Sequence, residues 1–126
     1  MMAKILVVED NPLNLRLLRE VLEYRGHTID SATTVGQASA RLASNTPELV
    51  LVDIQIPGGG GEQVLREIRE NPCYQHLPVI AVTALAMSGD RQRLLDLGFD
   101  GYFGKPIDTR AFGPAIESYL KAPKNS

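Results

Sequence analysis

The sequence predicts an α/β fold in which a doubly wound, five-stranded parallel sheet lies between two layers of helices. Three short runs of apolar, largely β-branched residues, at positions 5–8, 49–52 and 79–82, are typical of strands that are buried on both faces. Helical patterns lie between the strands, so the order β-α occurs five times along the chain. This alternation favours right-handed crossovers and a parallel sheet with helices on both faces.

The first helix is predicted from apolar residues at four-residue spacing. Asn11 is placed to cap this helix, Pro12 to begin it and Gly26 to end it. Its apolar face would consist of Leu13, Leu17 and Val21 together with Leu18 and Leu22.

The remaining elements have shorter or weaker patterns. Residues 28–32 and 101–103 are weaker strand candidates that would fit the edges of the sheet. The other helices are predicted from apolar stripes: Val35, Ala38 and Leu42; Val64, Leu65 and Ile68; Leu94, Leu95 and Leu97; and Phe112, Ile116, Tyr119 and Leu120. We expect a single domain over residues 1–126, with a core at about 4–120 and a polar tail at 121–126.

The composition is that of one folded domain of 126 residues. Its 13 basic and 15 acidic residues give a net charge of -2, which argues against direct binding of nucleic acid. No apolar stretch reaches the roughly 18 residues of a membrane-spanning helix, and the first apolar run does not resemble a signal peptide. The single cysteine, Cys73, excludes an internal disulfide and suits a reducing compartment. We therefore expect a cytoplasmic protein that does not enter the membrane.

Polar residues follow the strands at the carboxyl edge of the predicted sheet. Glu9 and Asp10 follow the first strand, Asp53 follows the third, Thr83 the fourth, and Lys105 lies just past the fifth. In open α/β sheets, ligands bind at this edge, where the strand order reverses. With the strand order 2-1-3-4-5, the first and third strands are neighbours and the three carboxylates would converge. Acidic residues after strands also commonly cap helices, but five matched residues at four strand ends favour a site.

Three clustered carboxylates repel one another unless a cation lies between them. Mg²⁺ prefers oxygen ligands and phosphate oxygens, and the absence of His or Cys at these strand ends argues against zinc or copper. The charges of three carboxylates, one Mg²⁺ and Lys105 cancel, so the site could accept a phosphoryl group. Asp53, on the most buried strand, is the expected nucleophile for an acyl phosphate. Thr83 and Lys105 would then contact the phosphoryl oxygens.

Four motifs at these strand ends resemble the receiver domain of two-component response regulators. They are Val7-Val8-Glu9-Asp10-Asn11, Val52-Asp53-Ile54-Gln55-Ile56-Pro57, Val82-Thr83-Ala84 and Gly104-Lys105-Pro106. The similarity extends over about residues 4–120. It implies a flavodoxin-like, three-layer sandwich with the strand order 2-1-3-4-5.

The resemblance also implies the roles of the site residues. Asp53 would be phosphorylated by a histidine kinase or a histidine phosphotransfer protein. Asp10, Asp53 and the backbone carbonyl of Gln55 would ligate Mg²⁺. Glu9, at a position where receivers commonly have Asp, would act mostly through a metal-bound water.

A conformational switch is implied by the same resemblance. Thr83 would move toward the phosphoryl group, and Tyr102 on the fifth strand would rotate from an exposed to a buried position. The Lys105-Pro106 peptide bond would be cis, which is accessible before proline. The face formed by the fourth helix, fifth strand and fifth helix would then change its preference for a protein effector.

Residues 58–61 form a run of four glycines where many receivers have bulky or acidic residues. Because glycine is conformationally free, we expect a mobile loop here. A phosphate-binding P-loop is not expected, since Gly61 is followed by Glu62 rather than by Lys and Ser or Thr. His27 and His76 are expected at the surface or in a loop and not as phosphodonors.

The leading hypothesis is a stand-alone phosphoacceptor that signals by binding another protein and is not an enzyme beyond its own phosphorylation and dephosphorylation. It would be a monomer or a weak, phosphorylation-dependent dimer. One alternative is a receiver fragment of a larger regulator or hybrid kinase. A phosphatase with an Asp nucleophile would need a second aspartate where Gln55 stands. A flavodoxin-like electron carrier would place the flavin phosphate against Glu9 and Asp10, which would repel it.

Overall fold

A computed structural model of the protein describes residues 2–84 and 89–121. Strands and helices alternate: β1 (Lys4–Val8), α1 (Pro12–Tyr24), β2 (Thr28–Ala32), α2 (Val35–Ser44), β3 (Leu49–Asp53), α3 (Gly60–Glu70), β4 (Val79–Thr83), α4 (Asp90–Leu97), β5 (Gly101–Gly104) and α5 (Thr109–Lys121). The strands form one parallel sheet in the order β2-β1-β3-β4-β5. The predicted fold class and strand order are confirmed. Of the predicted polar tail, only Lys121, the last residue of α5, is among the described residues.

Two clusters of buried side chains, one on each face of the sheet, hold the helices in place. One cluster joins α2, α3 and α4 to the sheet residues Leu6, Val8, Val50, Val52, Val79 and Ala81. The other joins α1 and α5 to Ile5, Val7, Leu49, Leu51, Ile80 and Val82. All five residues of β3 and of β4 are buried, as their continuous apolar runs predict. The central strands therefore fix the carboxyl edge of the sheet in position.

The predicted apolar face of α1 is only partly correct. Leu18 and Leu22 are buried, but Leu13 is 77% exposed. An α-helix advances 100° per residue, so Leu13 lies about 140° around the helix from Leu18 and points away from the sheet. The predicted ends of α1 are confirmed: the Asn11 side chain accepts hydrogen bonds from the N–H groups of the first turn, and Gly26 has a positive φ of 96°.

His27 is not the surface residue that its place after Gly26 predicts. Its side chain is completely buried, because the chain turns directly from α1 into β2 and brings residue 27 beneath α5. The N–H of Ala3 donates a hydrogen bond to His27 Nδ1 over 3.1 Å, and His27 Nε2 lies 2.9 Å from Glu117 Oε2. His76, in contrast, is exposed in the turn before β4, as expected.

Within residues 2–84 and 89–121, no helix combines the length and apolar composition needed to cross a lipid bilayer. Cys73 is exposed and unpaired.

Candidate functional site

The sheet topology brings the predicted polar residues together at one edge. β1 and β3 are neighbours, with Val8 opposite Val52, so Glu9 and Asp10 continue alongside Asp53. Thr83 ends β4 and lies opposite Gly104 of β5. The N–H of Lys105 extends this pairing by donating to the carbonyl of Thr83 over 2.9 Å. Five residues from distant parts of the sequence therefore meet at the carboxyl edge, as predicted.

The Lys105 ammonium group lies between two of the carboxylates. Its Nζ is 2.9 Å from Asp53 Oδ2 and 2.7 Å from Glu9 Oε1. Glu9, Asp10 and Asp53 each place a carboxylate oxygen within 4.8 Å of the others. The carboxylates are thus close enough to share one cation.

The environments of these groups differ. Glu9 is 1% exposed and Asp53 is buried, whereas Asp10 is exposed, so the cluster opens to solvent on the side of Asp10. Burial raises the pKa of Glu9, and the neighbouring Asp53 raises it further. Interactions with Lys105 and with the N–H of Asn11 lower this pKa but do not offset the increase. Burial lowers the pKa of Lys105, but its hydrogen bonds to Glu9 and Asp53 outweigh burial, and the net pKa is raised. Lys105 is therefore a stable cation in this site.

The donor atoms fit a hard divalent cation. All three side chains of the cluster offer carboxylate oxygens, the ligands that Mg²⁺ prefers. Glu9 Oε1 is buried, and its close polar neighbour among the described residues is Lys105 Nζ. Such an oxygen retains lone pairs for a cation or for a water bound to one. The Gln55 N–H donates to Asp53 Oδ1 over 3.0 Å, and the role of the Gln55 carbonyl as a metal ligand stays a prediction.

The predicted switch residues flank this cluster. Thr83 is buried at the end of β4. Tyr102 is half-buried and packs against the core on the α2, α3 and α4 side of the sheet. The Lys105-Pro106 peptide bond is cis, as predicted. The movement of Thr83 and the rotation of Tyr102 stay predictions.

The glycine-rich loop after β3 has a defined course. Gly58, Gly59 and Gly60 have φ values of 96°, 130° and 80°, a region that other residues rarely adopt. The N–H of Gly61 donates to the carbonyl of Ile54 over 2.9 Å. A Cβ on Gly61 would lie only 2.7 Å from the carbonyl oxygen of Asp53. Glycine at position 61 therefore lets α3 begin directly against the strand that carries Asp53, and the mobility of the loop stays a prediction.

One contact within the site is absent from the sequence-based prediction. The N–H of Asn11 donates to Glu9 Oε2 over 3.2 Å, while its side chain caps α1. The sequence indicates the cap, but the bond to Glu9 depends on the path of the loop after β1. Asn11 therefore orients a site carboxylate as well as beginning a helix.

The family model of the response regulator receiver domain matches residues 5–117, and the chain belongs to this family. Its role is that of a phosphoaccepting signalling protein of two-component systems. It is similar to the polar-differentiation response regulator DivK of Brucella ovis, with 37% identity over 120 residues that cover 95% of this chain and 98% of DivK.

Two solved structures support the same assignment. The receiver domain of a signal transduction histidine kinase from Syntrophus aciditrophicus has a TM-score of 0.87 and 27% identity, covering 98% of this chain and 94% of that one. The receiver domain of a sensor histidine kinase from Pseudomonas aeruginosa also has a TM-score of 0.87, with 28% identity, covering 97% of this chain and 100% of that one. The latter structure has a magnesium ion coordinated in its active site cleft.

Proposed function

We propose that Asp53 is the phosphoacceptor of this receiver and that the protein works as a stand-alone signalling switch. The contact of Lys105 with both Asp53 and Glu9, beside Asp10, carries this proposal. It sets one cation against the carboxylate that would be phosphorylated, while the exposed carboxylate of Asp10 lies beside them for a metal ion.

The expected reaction is transfer of a phosphoryl group from a phosphohistidine. An Asp53 carboxylate oxygen attacks phosphorus, the P–N bond breaks, its electron pair returns to the histidine ring, and an aspartyl phosphate forms. Lys105 would contact one phosphoryl oxygen, and the Thr83 hydroxyl would donate to another. Asp10, Asp53 and the Gln55 carbonyl would hold Mg²⁺, and Glu9 would act through a metal-bound water. The positive charge of the metal ion would offset the negative charge of the phosphoryl oxygens.

The partners follow from the family and from this chemistry. Receiver domains of two-component systems interact with histidine kinases and with effectors. We propose a histidine kinase or a phosphotransfer protein as the donor and a protein effector that responds to Thr83 and Tyr102. A monomer or a weak, phosphorylation-dependent dimer in the cytoplasm, with no enzymatic activity toward other substrates, fits this proposal. The exposed, unpaired Cys73 is consistent with a reducing compartment.

A second candidate is a receiver that forms part of a larger kinase. Two structures similar to this chain are receiver domains of histidine kinases. The similarity to DivK covers 98% of the length of DivK, and this match to a response regulator of similar length favours the stand-alone role instead.

The phosphoacceptor proposal can be tested by incubating the protein with acetyl phosphate and Mg²⁺ and weighing the intact protein. We expect the mass of one phosphoryl group to be added to the wild type and none to Asp53→Asn. Asp30→Asn is the matched control, because Asp30 lies on the edge strand β2 and pairs with Arg41 at 3.6 Å. Phosphorylation of Asp53→Asn, or no phosphorylation of the wild type, would contradict the proposal.

A further inference from the structure

A second cluster of charged and polar side chains lies beneath the far end of α5. Arg25 donates two hydrogen bonds of 2.8 Å to the carboxylate of Glu117. Because the N–H of Ala3 donates to His27 Nδ1, the proton of the neutral ring lies on Nε2, which donates to Glu117 over 2.9 Å. Glu117 thus joins α5 to the turn between α1 and β2, and through His27 to the start of β1.

The packing of this cluster is close. A Cβ on Gly113 would overlap Cδ of Arg25, so the absence of a side chain in α5 makes room for the arginine. The His27 side chain is fully buried, and that of Glu117 is only 14% exposed. The Arg25 side chain is 37% exposed, so the two hydrogen bonds to one carboxylate, and not burial, distinguish this ion pair from an ordinary surface pair.

α5 in turn contacts β5 on both sides of Tyr102. A Cβ on Gly101 would overlap the hydroxyl of Tyr119, and the rings of Phe103 and Phe112 meet edge to face at 4.9 Å. Tyr102 itself points to the opposite face of the sheet. α5 therefore packs directly against the strand that carries Tyr102.

We propose that Arg25, His27 and Glu117 form a conformational latch that holds α5, and through it β5, in the arrangement of the unphosphorylated protein. This proposal rests on the proposed function, because it assumes that Asp53 is phosphorylated. It adds a contact far from Asp53 that regulates the change of arrangement. His27 contacts Ala3, which precedes β1 at the amino edge of the parallel sheet, whereas Asp53 ends β3 at the carboxyl edge. In this proposal the contacts of the latch are made only in the unphosphorylated arrangement. Contacts made in one of two states stabilise that state, so breaking the latch would shift the equilibrium toward the phosphorylated arrangement.

The test uses beryllofluoride, which mimics a phosphoryl group, in the presence of Mg²⁺. Calorimetry measures its affinity for the protein, and the thermal unfolding midpoint is measured on the same variants. Glu117→Gln keeps the shape of the side chain and removes its charge. Arg25→Met keeps the aliphatic packing against Gly113 and leaves His27 bonded to Glu117, so it provides a milder second variant. Glu20→Gln is the matched control, since Glu20 forms an exposed ion pair with Arg16 within α1.

We expect both latch variants to bind beryllofluoride about fivefold or more tightly than the wild type, within the usual range of coupling between sites. The control should bind with wild-type affinity. Latch variants that unfold at lower temperature but bind with unchanged or weaker affinity would overturn the latch and leave the cluster a stabilising contact only. A wild type that neither binds beryllofluoride nor accepts a phosphoryl group would overturn the proposed function, and the latch with it.

Discussion

Lys105 carries the positive charge of the site. Without it, the buried carboxylates of Glu9 and Asp53 would face each other at close range and one of them would take up a proton. The same ammonium group occupies oxygen atoms that a divalent cation would use. Under the proposed function, Lys105 would therefore have two opposed effects, since it would compete with the metal ion before phosphorylation and stabilise the phosphoryl group afterwards.

We predict that Lys105→Met separates these effects. Mg²⁺ should bind more tightly because a competing positive charge is removed. Phosphorylation by acetyl phosphate should slow by about 100-fold, the usual cost of losing one preorganised donor. Calorimetry measures the first effect and the time course of intact mass the second.

Lys4→Met is the control for this variant, because the Lys4 ammonium group is exposed and contacts Asn45 on the opposite side of the molecule from the site. A parallel decrease in Mg²⁺ affinity and in rate would show that Lys105 does not compete with the metal ion.

Gly61 determines how closely α3 approaches β3, the strand that ends in Asp53. We predict that Gly61→Ala lowers the free energy of unfolding by about 1–3 kcal/mol, because the new Cβ would press on the Asp53 carbonyl and the backbone would have to move. Urea denaturation measures the change. Gly36→Ala is the matched control: its nearest neighbour would be 4.0 Å away, and alanine should stabilise α2 by up to about 1 kcal/mol. Equal behaviour of the two variants would contradict the close-contact explanation.

The site residues could be predicted because each is adjacent in sequence to the end of a strand. Once the strand order is known, adjacency alone places Glu9, Asp10 and Asp53 together. The burial of His27 could not be predicted in this way. It depends on α5, which lies 90 positions away in sequence at Glu117, and no local pattern records that contact.

At the scale of elements, Glu117 joins α5 to the turn between α1 and β2, in addition to the apolar contacts of α5 with the sheet. Arg25, and to a lesser degree His27, lower the pKa of this carboxyl from 4.5 to about 2. A group whose pKa is lower in the folded state contributes stability above its unfolded pKa and loses it as the pH falls through the folded value. The contribution of Glu117 should thus be complete above pH 4.5 and disappear between pH 4.5 and pH 2.

We therefore predict that Glu117→Gln destabilises the protein more at pH 7 than at pH 3. Urea denaturation at both pH values measures the difference, with Glu20→Gln as the control for an exposed pair on α1. A loss of stability that is the same at both pH values would show that packing, and not the charge of Glu117, accounts for it.

α1 shows the limit of prediction from periodicity at this scale. The pattern predicts the helix and both of its ends, because capping is local. It does not determine which of two overlapping apolar stripes faces the sheet. Leu18 and Leu22 do so, and Leu13 is left exposed.

The whole molecule should gain stability from Mg²⁺, because a cation bound only in the folded state relieves the repulsion among Glu9, Asp10 and Asp53. At a Mg²⁺ concentration about 100 times the dissociation constant, the gain should be about 2.7 kcal/mol. Thermal unfolding with and without Mg²⁺ measures it. Asp10→Asn should lose most of the gain and Asp30→Asn should retain it; a gain of the same size in both would indicate binding elsewhere.

The overall architecture followed from the sequence because two independent patterns agree. Continuous apolar runs mark β3 and β4 as central strands, and the alternation with helices requires parallel pairing. The same patterns do not predict the orientation of the helices on the sheet. That orientation depends on contacts between distant residues, such as those of Arg25 with Gly113 and of Tyr119 with Gly101.

The three glycines of positive φ in the loop after β3, Gly58, Gly59 and Gly60, have a consequence for mutational tolerance. Gly58 and Gly59 are exposed, and exposed positions ordinarily accept most amino acids. At these positions every alternative amino acid has a Cβ and is strained by the backbone. In a saturation library selected for signalling, this short stretch of surface should be as depleted of variants as the hydrophobic interior.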